Sequence, residues 1–142
     1  MTLPYLVNVQ LDEGAYMPER AHPEDAGADI RSPEHVVIWP HSSETIDTGV
    51  HVEIPAGYVG MLKSKSGLNI KHDITSEGVV DAGYTGSIRV KLYNNGPTKY
   101  SVERGDKISQ LVIMPIVSAG FIQVDEITGG VRGDNGFGST GR

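Results

Sequence analysis

Glycine and proline interrupt this chain so often that long helices are excluded. The 142 residues include 18 glycines and 8 prolines, and both residue types end or weaken helices. Between them lie short segments in which apolar and polar residues alternate, for example residues 50–54. Alternation with a period of two predicts strands that bury one face. The chain is therefore predicted to be all-β, with the architecture of a sandwich, jelly roll or barrel.

Further strands are predicted from the same pattern at near-regular spacing. They cover residues 6–11, 36–39, 45–48, 50–54, 58–63, 102–104 and 107–114, with a central hairpin between residues 78 and 92. The only helical candidate is a short turn at residues 66–70. No internal repeat is visible, and the length suits one domain with a sizeable core.

The central hairpin carries the most distinctive chemistry. Two valines precede Asp81, and Tyr84 lies between Gly83 and Gly86 at the predicted tip. Glycines at a tip let the backbone approach a flat ligand closely and leave N–H and C=O groups bare. Taken alone, this pattern is also typical of an ordinary hairpin with an aspartate in its turn. Its meaning therefore depends on the rest of the chain.

The last fourteen residues have a different character. Residues 129–142 contain six glycines and cannot form a core, so we predict a β domain over residues 1–128 and a flexible C-terminal arm over residues 129–142. A lone Phe137 between glycines suits a ligand-clamping arm, although a plain disordered tail is the alternative. Gly133 and Gly138 have P-loop spacing, but the required lysine is absent and no helix follows.

Composition excludes several classes of function. There is no cysteine, so disulfides and thiolate metal sites are ruled out, and a cytoplasmic location is consistent with this. The net charge of −6 argues against a broad nucleic-acid-binding face. We find no apolar run of membrane-spanning length. The five histidines are dispersed, so surface or strand roles are favoured over metal ligation.

Five short stretches, in one order, resemble the motifs of the trimeric dUTPase family (dUTP diphosphatases). They are residues 26–30, 64–68, 78–86, 105–111 and 132–141, here called motifs 1 to 5. The resemblance implies a jelly-roll-like β-clip fold and a homotrimer with active sites at subunit interfaces. It also implies Mg²⁺-dependent hydrolysis of dUTP to dUMP and pyrophosphate, which limits uracil in DNA and supplies dUMP for dTMP synthesis.

The resemblance assigns roles to individual residues. Asp81 would activate the water that attacks the α-phosphorus, and Tyr84 would pack on the deoxyribose and exclude a 2′-hydroxyl. The hairpin backbone would read uracil, and the arm would close over the base and the phosphates. The residues implied to contact substrate are Lys65, Ser66, Gly67, Gly78, Val80, Asp81, Tyr84, Ile88, Lys91, Gln110, Arg132, Phe137, Gly138, Ser139 and Thr140.

Magnesium would be held chiefly by the phosphates and water, because no carboxylate cluster offers a protein cage. Asp29 would support its water shell or the Arg132 arm. The chain departs from the family at Lys65, where arginine is usual, so a bidentate phosphate contact would be lost.

Two other functions remain open at this point. The related dCTP deaminase shares the Asp-x-Gly-aromatic hairpin, but its catalytic glutamate corresponds to Lys91 here, which disfavours deamination. A dUTPase-like regulatory protein, with dUTP acting as a switch for a protein partner, is the second alternative.

Overall fold

The structure is a computed structural model that describes residues 5–136, 138, 140 and 141. Within them it contains ten strands and one short helix, so the predicted mostly-β fold is confirmed. The elements are β1 (Asn8–Leu11), β2 (Gly27–Arg31), β3 (Val36–Ile38), β4 (Ser42–Asp47), β5 (Val50–Glu53), β6 (Tyr58–Lys63), α1 (Ser66–His72), β7 (Ile74–Asp81), β8 (Arg89–Asn94), β9 (Tyr100–Val102) and β10 (Lys107–Pro115).

Six strands form the main sheet, in the order β2-β10-β6-β7-β8-β4, while β1 pairs with β5 and β3 pairs with β9. The inward-facing residues of these strands make a single apolar core. Ile46, Val90 and Leu92, which have no exposed surface, illustrate the predicted alternation on β4 and β8. Burial of these aliphatic side chains is the main force that holds the strands together.

The sequence pattern missed β2. Residues 13–33 read as polar and turn-rich, but Gly27–Arg31 forms an edge strand of the main sheet against β10. Its two faces do not alternate cleanly, because the charged Asp29 is buried beside Ile30. A buried charge breaks the polar-out rule, and for this reason the alternation was not visible.

The central hairpin is more open than predicted. Strand β7 pairs with β8 only over residues 74–76, and from Glu77 to Asp81 it pairs with β6 instead. Strand β8 meanwhile pairs with β4 along its whole length. The two strands therefore separate toward the loop at residues 82–88, and the predicted tight turn is a seven-residue loop above a cleft.

After β10 the chain is exposed and has no strand or helix as far as residue 136. Several large apolar side chains are almost fully exposed there, including Val117 at 89%, Phe121 at 96% and Ile127 at 90%. The division of the chain near residue 128 and the mobility of the arm stay predictions. No helix in the described part of the chain is long and apolar enough to cross a bilayer.

Candidate functional site

Strand register brings residues that lie in or directly next to four of the motifs together in one row across the sheet. Gln110 on β10 lies opposite Asp29 on β2 and, on its other side, opposite Lys63 on β6. Lys63 in turn lies opposite Glu77 on β7. Motifs 1 and 4 and the residues directly before motifs 2 and 3 are therefore neighbours in space, although 48 positions in the chain separate Asp29 from Glu77.

Asp29 is the electrostatic centre of this row. Its side chain is only 6% exposed, and the Lys65 Nζ lies 2.5 Å from Oδ1 while the Lys107 Nζ lies 3.2 Å from Oδ2. Burial alone raises the pKa of this carboxyl, but the hydrogen bonds and charges of the two lysines outweigh it, so the pKa is lowered. The cluster carries one net positive charge at neutral pH, which suits the binding of an anion.

Hydroxyl groups fix motif 2 against its neighbours. The Ser64 hydroxyl accepts a hydrogen bond from the Ser76 backbone N–H (2.9 Å) and donates to the Ser76 carbonyl (3.1 Å). The Ser76 and Ser109 hydroxyls are 2.9 Å apart in the buried layer beneath. Ser66 opens α1 as an exposed residue directly after this anchored segment. Its hydroxyl is therefore presented to solvent by a rigid base.

The Gln110 side chain is held by motifs 1 and 2. Its amide donates to the Ser64 carbonyl at 2.9 Å. A Cβ atom at Gly27 would lie 2.9 Å from the Gln110 Cβ and 3.0 Å from its Cδ, so only glycine at residue 27 leaves the side chain in place. This close approach explains one glycine of motif 1 in physical terms.

Asp81 and Tyr84 border the cleft between β7 and β8. Asp81 ends β7 as an exposed residue, and the loop then turns with the Tyr84 N–H bonded to the Asp81 carbonyl. In the described part of the chain, no strand pairs with the edge of β7 that faces this cleft over residues 77–81. The backbone groups on that edge are therefore free to pair with a planar ligand.

The Tyr84 ring is fixed by its own loop. Its hydroxyl donates to the Ser87 carbonyl at 2.8 Å. Gly86 lies under the ring, where a Cβ atom would be 2.7 Å from Tyr84 Cζ. The ring thus has a set position at the mouth of the cleft while remaining 47% exposed.

Residues outside the motifs anchor this loop, and no sequence pattern predicted this role for them. The Ser87 hydroxyl donates to Asp47, and that bond, together with one from the Gly49 N–H, lowers the pKa of the Asp47 carboxyl. His51 contacts the Thr85 carbonyl and Asp12. His51 was predicted only to have a strand or surface role. Its two partners lie 34 and 39 positions away in the chain, so no local pattern connects them with it.

Other predicted site residues have different surroundings. The Val80 and Ile88 side chains are buried in the core, and the Ile88 N–H and carbonyl bond to Val50 and Thr48. Lys91 is exposed on β8 with its ammonium 5.1 Å from the Tyr93 ring centre. Gly78 lies opposite Leu62 beside the cleft, and Gly67 is exposed in α1.

In the arm, Arg132 donates to the carbonyls of Asn135 and Gly136, at 3.2 and 2.9 Å. Gly138 and Thr140 are exposed. Phe137 and Ser139 lie outside the described residues, so their predicted roles have no structural counterpart.

The two groups of predicted site residues lie apart within this chain. Asp81 lies four residues farther along β7 than Glu77, which is about 13 Å in an extended strand. The Asp29–Gln110 row and the Asp81–Tyr84 cleft therefore lie at different ends of the sheet.

The described residues contain no group of three histidine, aspartate or glutamate side chains able to hold a metal ion. Asp29 already accepts from two lysines, and Asp81 is a single carboxylate in its cleft. The donors suit a cation that brings most of its oxygen ligands with it, as a phosphate-bound Mg²⁺ does.

The model of the dUTPase family matches residues 13–141 of this chain. A deoxyuridine 5′-triphosphate nucleotidohydrolase of Thermobifida fusca is 44% identical over 136 residues, which cover 93% of this chain and 76% of the relative.

Two solved structures are similar to this chain. The dUTPase of Staphylococcus bacteriophage 80alpha with dUPNHPP has a TM-score of 0.91 and 36% identity, covering 96% of this chain and 99% of that one. It belongs to a study describing phage dUTPases as controlling transfer of virulence genes by a G protein-like mechanism. A mutant dUTPase from phage phi11 of S. aureus, described as coordinating a structural Mg(II) ion, has a TM-score of 0.82 and 36% identity, with coverages of 88% and 100%.

Proposed function

The chain belongs to the dUTPase family, and from this we propose that it hydrolyses dUTP to dUMP and pyrophosphate. The observation that carries the proposal is the cleft itself. It combines an exposed Asp81, a fixed Tyr84 and an unpaired strand edge in a chain that matches the family over nearly its whole length. Each of these features has a use in recognising and attacking a deoxynucleoside triphosphate.

Asp81 is the proposed general base. Its carboxylate accepts a proton from a bound water, whose oxygen then attacks the α-phosphorus as the bond to the bridging oxygen of pyrophosphate breaks. The proton goes to Asp81 and afterwards to solvent, and the electron pair of the broken bond leaves with pyrophosphate. Exposure of Asp81 at the end of β7 supports this role, because the water must be able to enter and leave.

The cleft supplies the proposed base specificity. Uracil offers one N–H donor between two carbonyl acceptors, and backbone groups on the free edge of β7 are complementary to such a pattern. Cytosine presents a different donor and acceptor order, and the methyl group of thymine needs additional space. The fixed ring of Tyr84 packs on the deoxyribose and leaves no room for a 2′-hydroxyl.

The Asp29–Gln110 row is the proposed phosphate-binding half. Ser66, Gln110 and Lys65 present donors and a positive charge on a rigid base, which a triphosphate requires. Mg²⁺ bound by the phosphates would neutralise further charge. Arg132, Thr140 and the predicted arm residues Phe137 and Ser139 would close over the ligand.

We further propose a homotrimer in which neighbouring chains complete each site. The separation of the cleft from the phosphate-binding row supports this arrangement, as do the exposed apolar residues between residues 116 and 131. Such a large unpaired apolar surface is typical of an interface. The arm of a third subunit would then reach the site.

Pyrophosphate release from dUTP, dCTP, UTP and dTTP, measured with and without Mg²⁺, tests the proposal. We expect fast release from dUTP with Mg²⁺ and at least about a hundredfold lower kcat/KM for the other three, because cytosine has mismatched hydrogen-bonding groups while the thymine methyl group and the 2′-hydroxyl lack space. Equal turnover of dTTP or UTP would contradict it. Ammonia release from dCTP would instead support the deaminase alternative. The exposed Lys91, whose ammonium lies over the Tyr93 ring, does not favour that alternative.

A regulatory role is a second candidate. It is favoured by the similarity to a phage dUTPase that belongs to a study of gene-transfer control. Capture of a protein partner by the nucleotide-free chain but not by the chain with a dUTP analogue would support it. The catalytic proposal does not depend on this outcome.

A further inference from the structure

His51 links the Tyr84 loop to the segment that follows β1. Its Nδ1 lies 2.7 Å from the Thr85 carbonyl oxygen, and its Nε2 lies 3.0 Å from Oδ1 of Asp12. Thr85 is the residue after Tyr84, and Asp12 follows β1. The imidazole projects from β5, so it bridges three separate segments with one ring.

Both partners of the ring are acceptors. A carbonyl oxygen and an ionised carboxylate can only accept, so both ring nitrogens must donate, and only the imidazolium form has two N–H groups. In the neutral ring, one of the two contacts would bring a lone pair against another lone pair. The geometry therefore specifies the charged form.

The charges around His51 favour the same form. Two carboxylates act on the ring, Asp12 after β1 and Asp47 at the end of β4, and Glu53 lies two residues along β5. Arg89 on β8 acts on Asp47. The hydrogen bond to the Thr85 carbonyl and the one to Asp12 raise the pKa of His51 above its ordinary value of 6.5.

We infer that protonated His51 is a positioning residue that holds the Tyr84 loop in its substrate-binding geometry. The inference rests on the proposed function, because the loop matters only if it binds the nucleotide. When the imidazolium loses its proton, either the Thr85 or the Asp12 bond is lost, and the loop gains freedom. Affinity for dUTP is therefore highest below the raised pKa of the imidazole and falls as the pH rises through it.

Replacing the imidazole by a ring that has no N–H donor tests this assignment. His51→Phe keeps a planar ring but offers no N–H, and we expect KM for dUTP at pH 6 to rise about tenfold, as for the loss of one hydrogen bond to a charged group. The change in kcat should stay within about threefold, because Asp81 is intact. His35→Phe is the matched control, since His35 is exposed and, among the described residues, forms an ion pair with Glu103 alone, at 3.6 Å.

The pH profile separates positioning from a merely structural role. In the native chain and in His35→Phe, KM should rise between neutral and alkaline pH, while in His51→Phe this rise should be absent. Asp12→Asn retains the ring but removes a favourable charge, so the rise should begin at lower pH. This variant also serves if His51→Phe does not fold.

A measurement without nucleotide keeps the inference distinct from the proposed function. Hydrogen-exchange protection of the amides at residues 83–87 should fall in His51→Phe and, in the native chain, fall at high pH. The inference would be overturned if KM and amide protection were unchanged in His51→Phe, or if the pH profile of KM were not shifted in Asp12→Asn. Absence of dUTP hydrolysis in the native chain would overturn the proposed function, and the protection data would still decide the link between His51 and the loop.

Discussion

Lys65 places its ammonium 2.5 Å from a carboxylate oxygen of Asp29, a residue 36 positions earlier in the chain. Lys107 binds the other oxygen of the same carboxylate at 3.2 Å. Lysine stands at residue 65 where the dUTPase family usually has arginine, and here its charge is oriented by Asp29. A point charge held in place by a carboxylate can still attract phosphate, although it cannot form a bidentate pair.

Asp29 makes stability sensitive to acid. Because its folded pKa is below its ordinary value of 3.8, its contribution is complete above that value and is lost as the pH falls through the folded pKa. Asp29→Asn should lower the free energy of unfolding at pH 7 by about 2 kcal/mol, since two lysines lose their buried partner. Urea denaturation from pH 7 down to pH 2 measures both effects. An equal acid-induced loss in Asp29→Asn would assign the sensitivity to other carboxylates.

Removing the proposed base should separate binding from turnover. Asp81→Asn keeps the shape of the side chain but cannot take a proton, so turnover should fall by about a thousandfold or more. Binding of a non-hydrolysable dUTP analogue, measured by calorimetry, should change by only a few-fold. Glu44→Gln, on the exposed face of β4, is the control. Turnover within tenfold of the native value would exclude Asp81 as the base.

Sugar discrimination should depend on Tyr84 and on the glycine beneath it. Tyr84→Ala should raise the ratio of UTP to dUTP turnover by about tenfold, because the space for a 2′-hydroxyl opens. Gly86→Ala should act in the same direction, since its Cβ would lie 2.7 Å from Tyr84 Cζ and the ring must move. Gly120→Ala, whose Cβ meets nothing within 4 Å, should leave the ratio unchanged. An unaltered ratio in both loop variants would refute the stacking role.

Mixed trimers should reveal sites shared between subunits. Asp81→Asn lacks the base, and a Ser66→Ala and Gln110→Ala double variant lacks phosphate donors. Co-refolding the two should restore activity well above the sum of the separate proteins, because some interfaces then combine an intact Asp81 with intact donors. If mixing brings no gain, each site is complete within one chain.

Truncation after Gly130 tests the arm. We expect kcat/KM for dUTP to fall at least about a hundredfold, since the donors and the Phe137 ring that close the site are removed. The oligomeric state, measured by light scattering, should be unchanged, because the core and the apolar residues up to 127 remain. Native activity in the truncated chain would remove the arm from the mechanism.

Much of the fold could be read from local patterns, while the strand pairings could not. Period-two alternation located β5, β6 and most of β10, because each buries one face against the core. The pattern did not locate β2, where the buried Asp29 interrupts it. The pattern also predicted a closed central hairpin. This was wrong, because a local pattern does not show that β7 changes partner from β8 to β6.

The sequence alone determined the all-β class and the ordered motifs, because backbone preferences of glycine, proline and β-branched residues act locally. Only the tertiary structure decided which residues meet: Asp29 with Lys65 and Lys107, and His51 with Thr85 and Asp12. These contacts depend on strand register and on partners far apart in the chain. Charge and hydrogen bonding act through space, so their effects on the site follow from the folded positions of these groups.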